Sequence, residues 1–186
     1  MNQYLFNLIH RFAGHSALLD FTGVFFANYL PYLLALGFLW LLFKEKNWRR
    51  RWYYFAEGAV AVILSRGIVT EVIRHFYYHV RPFEFYNFTP LIPESGSSFP
   101  SGHAAFFFAL ALAIWYMNRT WGIWYLALSL VNGLSRIYVG VHWPYDIFGG
   151  IVVGLVSAFL VHLALKKTKA ALFAAPQNPL DLPAAR

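Results

Sequence analysis

Two arginines seven residues apart, Arg74 and Arg81, close an apolar run in the stretch Arg-His-Phe-Tyr-Tyr-His-Val-Arg-Pro. On a helix that spacing is about two turns, so both guanidiniums can face one point. Guanidinium forks match phosphate oxygens, although arginines at the end of an apolar run also serve as interfacial anchors. A second group, Pro100-Ser101-Gly102-His103, opens another apolar run. A helix N-terminus offers free N–H groups and a positive dipole end to an anion. Ser101 can cap that helix and donate to phosphate, and Gly102 lets an anion approach the backbone. The same four residues also read as an ordinary cap followed by an incidental histidine. The third group is Ser135-Arg136, with His142 and Asp146 further along. Pro144 suits the first turn of a helix. Asp146, four residues after His142, can then accept from one ring nitrogen and leave the other free to attack, the orienting logic of a nucleophilic site. A His–Asp cap contact without chemistry is the plainer reading of that pair.

The elements that must position these groups are apolar helices. Five runs approach the roughly 20 residues needed to cross a hydrocarbon core: Leu18 to Phe43, Tyr53 to Phe76, Ser101 to Met117, Trp121 to Ile137 and Tyr145 to Leu165. The third and fourth are short, and their helices are expected to extend past the apolar limits. Pro31 is expected to kink the first. The first run is too long for a signal-peptide core and lacks a small-residue cleavage pattern, so it is expected to remain as a span. Residues 2–13 place Leu5, Ile9 and Phe12 near one face and predict a short interfacial helix. The fold class is therefore an all-α integral membrane protein, a bundle of about five transmembrane helices plus that N-terminal helix. Residues 1–169 form one domain, and the Pro- and Ala-containing tail of 170–186 is expected to be disordered.

Composition agrees. The chain is 59% hydrophobic, 20% aromatic and 12% charged, far more apolar than a soluble domain of 186 residues. Its net charge of +7 is gathered at the ends of apolar runs rather than in a stripe, which argues for membrane flanks over nucleic acid. With no cysteine, thiolate catalysis, disulfides and cysteine metal sites are excluded. Lys44, Lys46, Arg49, Arg50, Arg51, Arg119, Lys166, Lys167 and Lys169 fall on one side of a five-span layout. The positive-inside rule puts that side and the C-terminus in the cytoplasm, and all three chemical groups opposite.

Together the three groups resemble the type 2 phosphatidic acid phosphatase superfamily, whose signature is K-x6-R-P, P-S-G-H and S-R-x5-H-x3-D. The second and third parts match at every defined position, and the first departs once, with Arg74 where the family has lysine. The resemblance implies that His142 is a nucleophile forming a phosphohistidine and that Asp146 orients it. It implies that His103 protonates the leaving oxygen and then activates water, and that Arg74, Arg81, Ser101, Gly102 and Arg136 hold phosphate oxygens. No cofactor or metal is implied, and the expected partners are a lipid phosphate or pyrophosphate substrate and the surrounding lipids. The compact layout is most similar to bacitracin-resistance-type undecaprenyl pyrophosphate phosphatases of bacterial plasma membranes. Phosphatidic acid or phosphatidylglycerol phosphate stays open as a substrate, and so does a non-catalytic lipid-binding or transport role.

Four further features stand outside the signature. Arg66 lies mid-span near Glu71, with Glu57 toward the cytoplasmic end, and reads as either a functional charge or an internal packing pair. His75 and His79 have metal-ligand spacing but no third ligand, so interfacial or substrate-loop roles are expected. Gly149, Gly150 and Gly154 are expected to allow close helix packing. Phe83, Phe85, Tyr86 and Phe88 suit lipid access or interface anchoring.

Overall fold

The computed structural model describes residues 1–174, and among them every regular element is helical. The chain opens with α1 (Asn2–His10). Next, α2 (Ala17–Val24) runs through a π-helical turn, Phe25–Tyr29, into α3 (Leu30–Lys44), making one continuous helix of 28 residues. A second long helix is built the same way, from α4 (Trp48–Val62), a π-helical segment Ile63–Val69 and α5 (Thr70–Phe76). A loop carrying the short α6 (Pro82–Tyr86) leads to α7 (Gly102–Met117), α8 (Arg119–Tyr138) and α9 (Pro144–Ala174). α9 continues five residues past the expected domain limit at 169. The rest of the expected tail, 175–186, lies outside the described residues.

Two of these helices, Ala17–Lys44 and Pro144–Phe173, are long and apolar enough to cross a membrane by length and composition, and α7 is a shorter apolar helix. The surface is inverted relative to a water-soluble protein. Leu36, Phe43, Ile123, Phe148 and Leu160 are exposed, whereas Glu57, Arg81, Arg136 and Asp146 are buried. Apolar side chains outside and charges inside are what a lipid solvent requires.

α7 is the central helix. Ala104, Ala105, Phe108, Ala109, Ala111 and Ile114 are buried in it, against α4, α8 and α9. Its contact with α9 is backbone to backbone. A Cβ on Gly150 would lie 2.5 Å from the Ser101 carbonyl oxygen, and one on Gly154 would lie 2.6 Å from that of Ala105. Small residues at such a crossing let helices approach closely. One turn before Gly150, the Asp146 carbonyl accepts from Ser101 N at 2.9 Å. The glycines thus hold the His142–Asp146 pair against the start of α7.

The expected interruption at Pro31 takes the form of a π-helical turn with side-chain compensation. Leu30 N bonds back to Phe25 O, and Pro31 has no N–H to give Ala27. The carbonyls of Phe26 and Ala27 accept instead from Asn132 Nδ2, at 2.7 and 3.2 Å, and Arg136 lies 3.5 Å from Ala27 O. The interruption at this proline therefore frees acceptors that steady Asn132 and Arg136 on α8.

α1 forms, but on a different face from the expected one. Phe6 is its buried residue, Leu5 and Ile9 are half-buried, and Phe12 is exposed. Phe6 stacks on His10 and packs against Trp143, and His10 donates to Tyr138 O at 2.8 Å. The helix covers the ends of α8 and α9, because Trp143 offers it an apolar surface there. Phe85 and Tyr86 pack on the same Trp143, and Phe88 packs on His10, so these aromatics roof the α8–α9 turn. Elsewhere Arg66 pairs with Glu71, with both side chains partly exposed rather than internal, while Glu57 pairs with His162 at 2.6 Å.

Candidate active site

His142 sits in the turn between α8 and α9, where Gly140 (φ +89°) reverses the chain and Pro144 starts the next helix. It is 1% exposed. Its Nδ1 lies 3.4 Å from Asp146 Oδ2 and 3.5 Å from Ser98 Oγ. That places the carboxylate on the Nδ1 side and leaves Nε2 free of it. Asp146 is itself anchored. Trp143 N donates to Oδ2 at 2.7 Å, Ser98 Oγ donates to the same oxygen, and His79 Nδ1 reaches Oδ1 at 3.2 Å. At 3.4 Å the His142 contact is long for a hydrogen bond. Burial pushes the His142 imidazole down to about 4, with the charges of Arg136 and Arg81 acting in the same direction and the Asp146 contact opposing. The ring is therefore neutral near pH 7, the state a nitrogen nucleophile needs.

Arg136 on α8 pairs with Glu94 and lies 3.5 Å from His103 Nε2, so the α7 histidine and the α8 arginine share one site. Arg81 is also 3.8 Å from Glu94. The Glu94 carboxylate stands between two guanidiniums, as an anion would. Burial would raise its pKa, but Arg136 and Arg81 outweigh that and hold it below the usual range. Arg74 donates to Pro100 O at 3.0 Å at the entrance to α7. Among the described residues, the buried Nε groups of Arg74 and Arg136 find no acceptor. Unpaired buried donors are costly, and a phosphate group in the site would satisfy them.

Two expected phosphate ligands are engaged otherwise. Arg81 donates to four main-chain carbonyls, those of Gly96 (2.9 Å), Val141 (2.8 Å), Ser95 (3.0 Å) and Ser97 (3.3 Å). It fastens the 95–97 loop to the turn that carries His142. Ser101 is fully buried and caps α7 by accepting from Ala104 N at 3.4 Å. At Gly102, the space that a Cβ would take is filled by Arg66. Ser98 and Glu94 are the members that sequence reasoning missed. His79, expected in an interfacial or substrate-loop role, reaches the Asp146 carboxylate. His75 instead sits edge-on to Phe76, and among the described residues no three His, Asp or Glu side chains converge as a metal cage.

Residues 55–170, which include all three chemical groups, match the PAP2 superfamily. The chain belongs to the PAP2 superfamily. Over 163 residues it is 33% identical to Undecaprenyl-diphosphatase BcrC of Bacillus subtilis, covering 86% of this chain and 82% of that one. The crystal structure of Aquifex aeolicus LpxE superposes with a TM-score of 0.72 at 26% identity, over 86% of this chain and 93% of that one. A transmembrane PAP2-type phosphatidylglycerolphosphate phosphatase from Bacillus subtilis has the same fold, with a TM-score of 0.62 at 22% identity over 89% and 86% of the two chains. The PAP2 fold and the apolar exterior make this a membrane protein.

Proposed function

We propose that this PAP2-superfamily protein hydrolyses undecaprenyl diphosphate to undecaprenyl phosphate and phosphate through a phosphohistidine on His142. The observation that carries the reading is the buried, neutral His142, held on its Nδ1 side by an anchored Asp146 and flanked by arginines with unfilled donors. The resemblance to a named undecaprenyl-diphosphatase over most of both chains supports the substrate. In the first step His142 Nε2 forms a bond to the terminal phosphorus. The bond to the bridging oxygen breaks, and the His103 proton goes to that oxygen. In the second step water attacks phosphorus, gives its proton to His103, and the P–N bond breaks. Arg136, Arg74 and the N-terminus of α7 neutralise the charge that builds on the transferred group, so the reaction needs no metal from the protein. Arg81 and Ser101 hold the loops that frame the site.

The test is phosphate release by purified protein from undecaprenyl diphosphate, phosphatidic acid and phosphatidylglycerol phosphate, each with and without EDTA. The expected result is fastest turnover of the diphosphate, unchanged by EDTA. Preference for a glycerolipid would replace the substrate, and loss in EDTA restored by a divalent ion would replace the mechanism.

Within this reading residues 1–169 act as one phosphatase domain, and five helical runs cross a bacterial plasma membrane. The basic loop at 44–51 and the C-terminus lie in the cytoplasm, and His142 faces the periplasm or exterior. The chain has no cysteine of its own, so single cysteines report sidedness. A Tyr78→Cys variant, at a position 62% exposed in the loop before α6, should react with an impermeant thiol reagent in intact cells. A Thr120→Cys variant in the exposed first turn of α8 should react only after lysis. The reverse pattern would put the site in the cytoplasm.

A further inference from the structure

Arg66 lies outside the superfamily signature, on the π-helical segment Ile63–Val69. Such wide turns inside α-helices recur at functional sites. This one delivers the Arg66 side chain across the first residue of α7. A Cβ on Gly102 would lie 2.5 Å from Arg66 Nε and 3.1 Å from its Cζ. Gly102 therefore makes room for a guanidinium of the protein itself beside the His103 turn. Arg66 and His103 line one open cavity of about 320 Å³, with Pro31, Tyr32 and Phe106 among its apolar walls. The Arg66 side chain is 39% exposed, and its partner Glu71 is 51% exposed. An arginine within a membrane helix that faces a cavity is costly without an anion to meet it, and Glu71 is an exposed and incomplete partner.

We propose that Arg66 holds the second phosphoryl group of a diphosphate lipid, the one that stays with the leaving group. The proposal rests on the phosphatase reading above. When His142 attacks the terminal phosphorus, the breaking bond points away from it, toward the bridging oxygen that His103 serves. The next phosphorus lies one oxygen further along, on the side of His103 away from His142. The cavity is lined by His103 and Arg66 and not by His142, and its apolar walls can take the first isoprene units. A monophosphate lipid places only carbon there, so Arg66 selects for diphosphates.

The experiment compares farnesyl diphosphate with farnesyl monophosphate on the wild-type protein and Arg66→Gln. Loss of a charge-assisted contact should lower kcat/KM for the diphosphate by roughly 10- to 100-fold, with the monophosphate changed less than about threefold. Equal loss on both substrates with an unchanged melting temperature makes Arg66 a packing residue and overturns the proposal, as does no loss on either. If Arg66→Gln does not fold, Arg66→Lys is tested with inorganic pyrophosphate and inorganic phosphate as competing inhibitors. The advantage of pyrophosphate over phosphate should shrink, and an unchanged ratio overturns the assignment. A wild-type protein that cleaves the monophosphate but no diphosphate overturns the functional reading itself, which is a different outcome.

Discussion

His142→Ala is expected to lower phosphate release by about 10³-fold or more, because one nitrogen is asked to form the covalent bond. The fold should survive. Asp146 keeps Trp143 N, Ser98 Oγ and His79 as donors when the imidazole is removed, so no carboxylate is stranded. Phosphate release and thermal unfolding in the same detergent check both halves. A folded His142→Ala protein with near-normal turnover would end the phosphohistidine mechanism. The wild-type pH profile reads the same group from another side. Attack requires the unprotonated ring, and burial brings its pKa from 6.5 to about 4. The acid limb of kcat/KM should therefore fall toward pH 4 rather than near 6.5. Between those values the unfolded chain binds a proton that the folded chain refuses, so the contribution of this group to stability rises with pH across that window. An acid limb near 6.5 that shifts in no His142 variant would assign the titration elsewhere.

His103→Ala should separate the two steps. On a monophosphate lipid the leaving group is an alkoxide that needs its proton, and turnover should drop by roughly 10²- to 10⁴-fold. On a diphosphate lipid the leaving group is a phosphate ester, which departs far more readily without a donated proton. The first step then proceeds while hydrolysis, deprived of its base, stalls. A substrate labelled in the terminal phosphate should leave acid-labile label on the His103→Ala protein and none on the His103→Ala, His142→Ala double variant. If no label accumulates and both substrates lose rate equally, His103 acts in the first step alone or through Arg136, whose guanidinium lies 3.5 Å from it.

The apolar helical runs and the chemically suggestive groups at their ends are legible along the chain. These are local properties. His142 lies two residues before α9 and Asp146 in its first turn, and Ser101 and His103 lie at the start of α7, so short spacing along the chain sets which of these side chains can meet. Gly150 and Gly154 were legible as a packing stripe for the same reason. How those groups converge, and which of them are taken up by main-chain partners, follows from packing in three dimensions. Arg81 has the spacing of a phosphate ligand, yet it donates to Ser95, Gly96, Ser97 and Val141. A main-chain carbonyl accepts whatever side chain it carries, so it leaves no mark on residue type. Glu94 reaches Arg136 across 42 positions and Ser98 reaches Asp146 across 48, through a loop with no periodicity to announce its partners. Pro31 announced a break in its helix, but that the carbonyls beside it would be taken up by Asn132 depended on where α8 packs. Arg66 was visible as a charge in an apolar run. Only the absence of a Cβ at Gly102, on a helix 36 residues further on, brought it beside His103, because close approach between helices is set by packing in three dimensions and not by order along the chain.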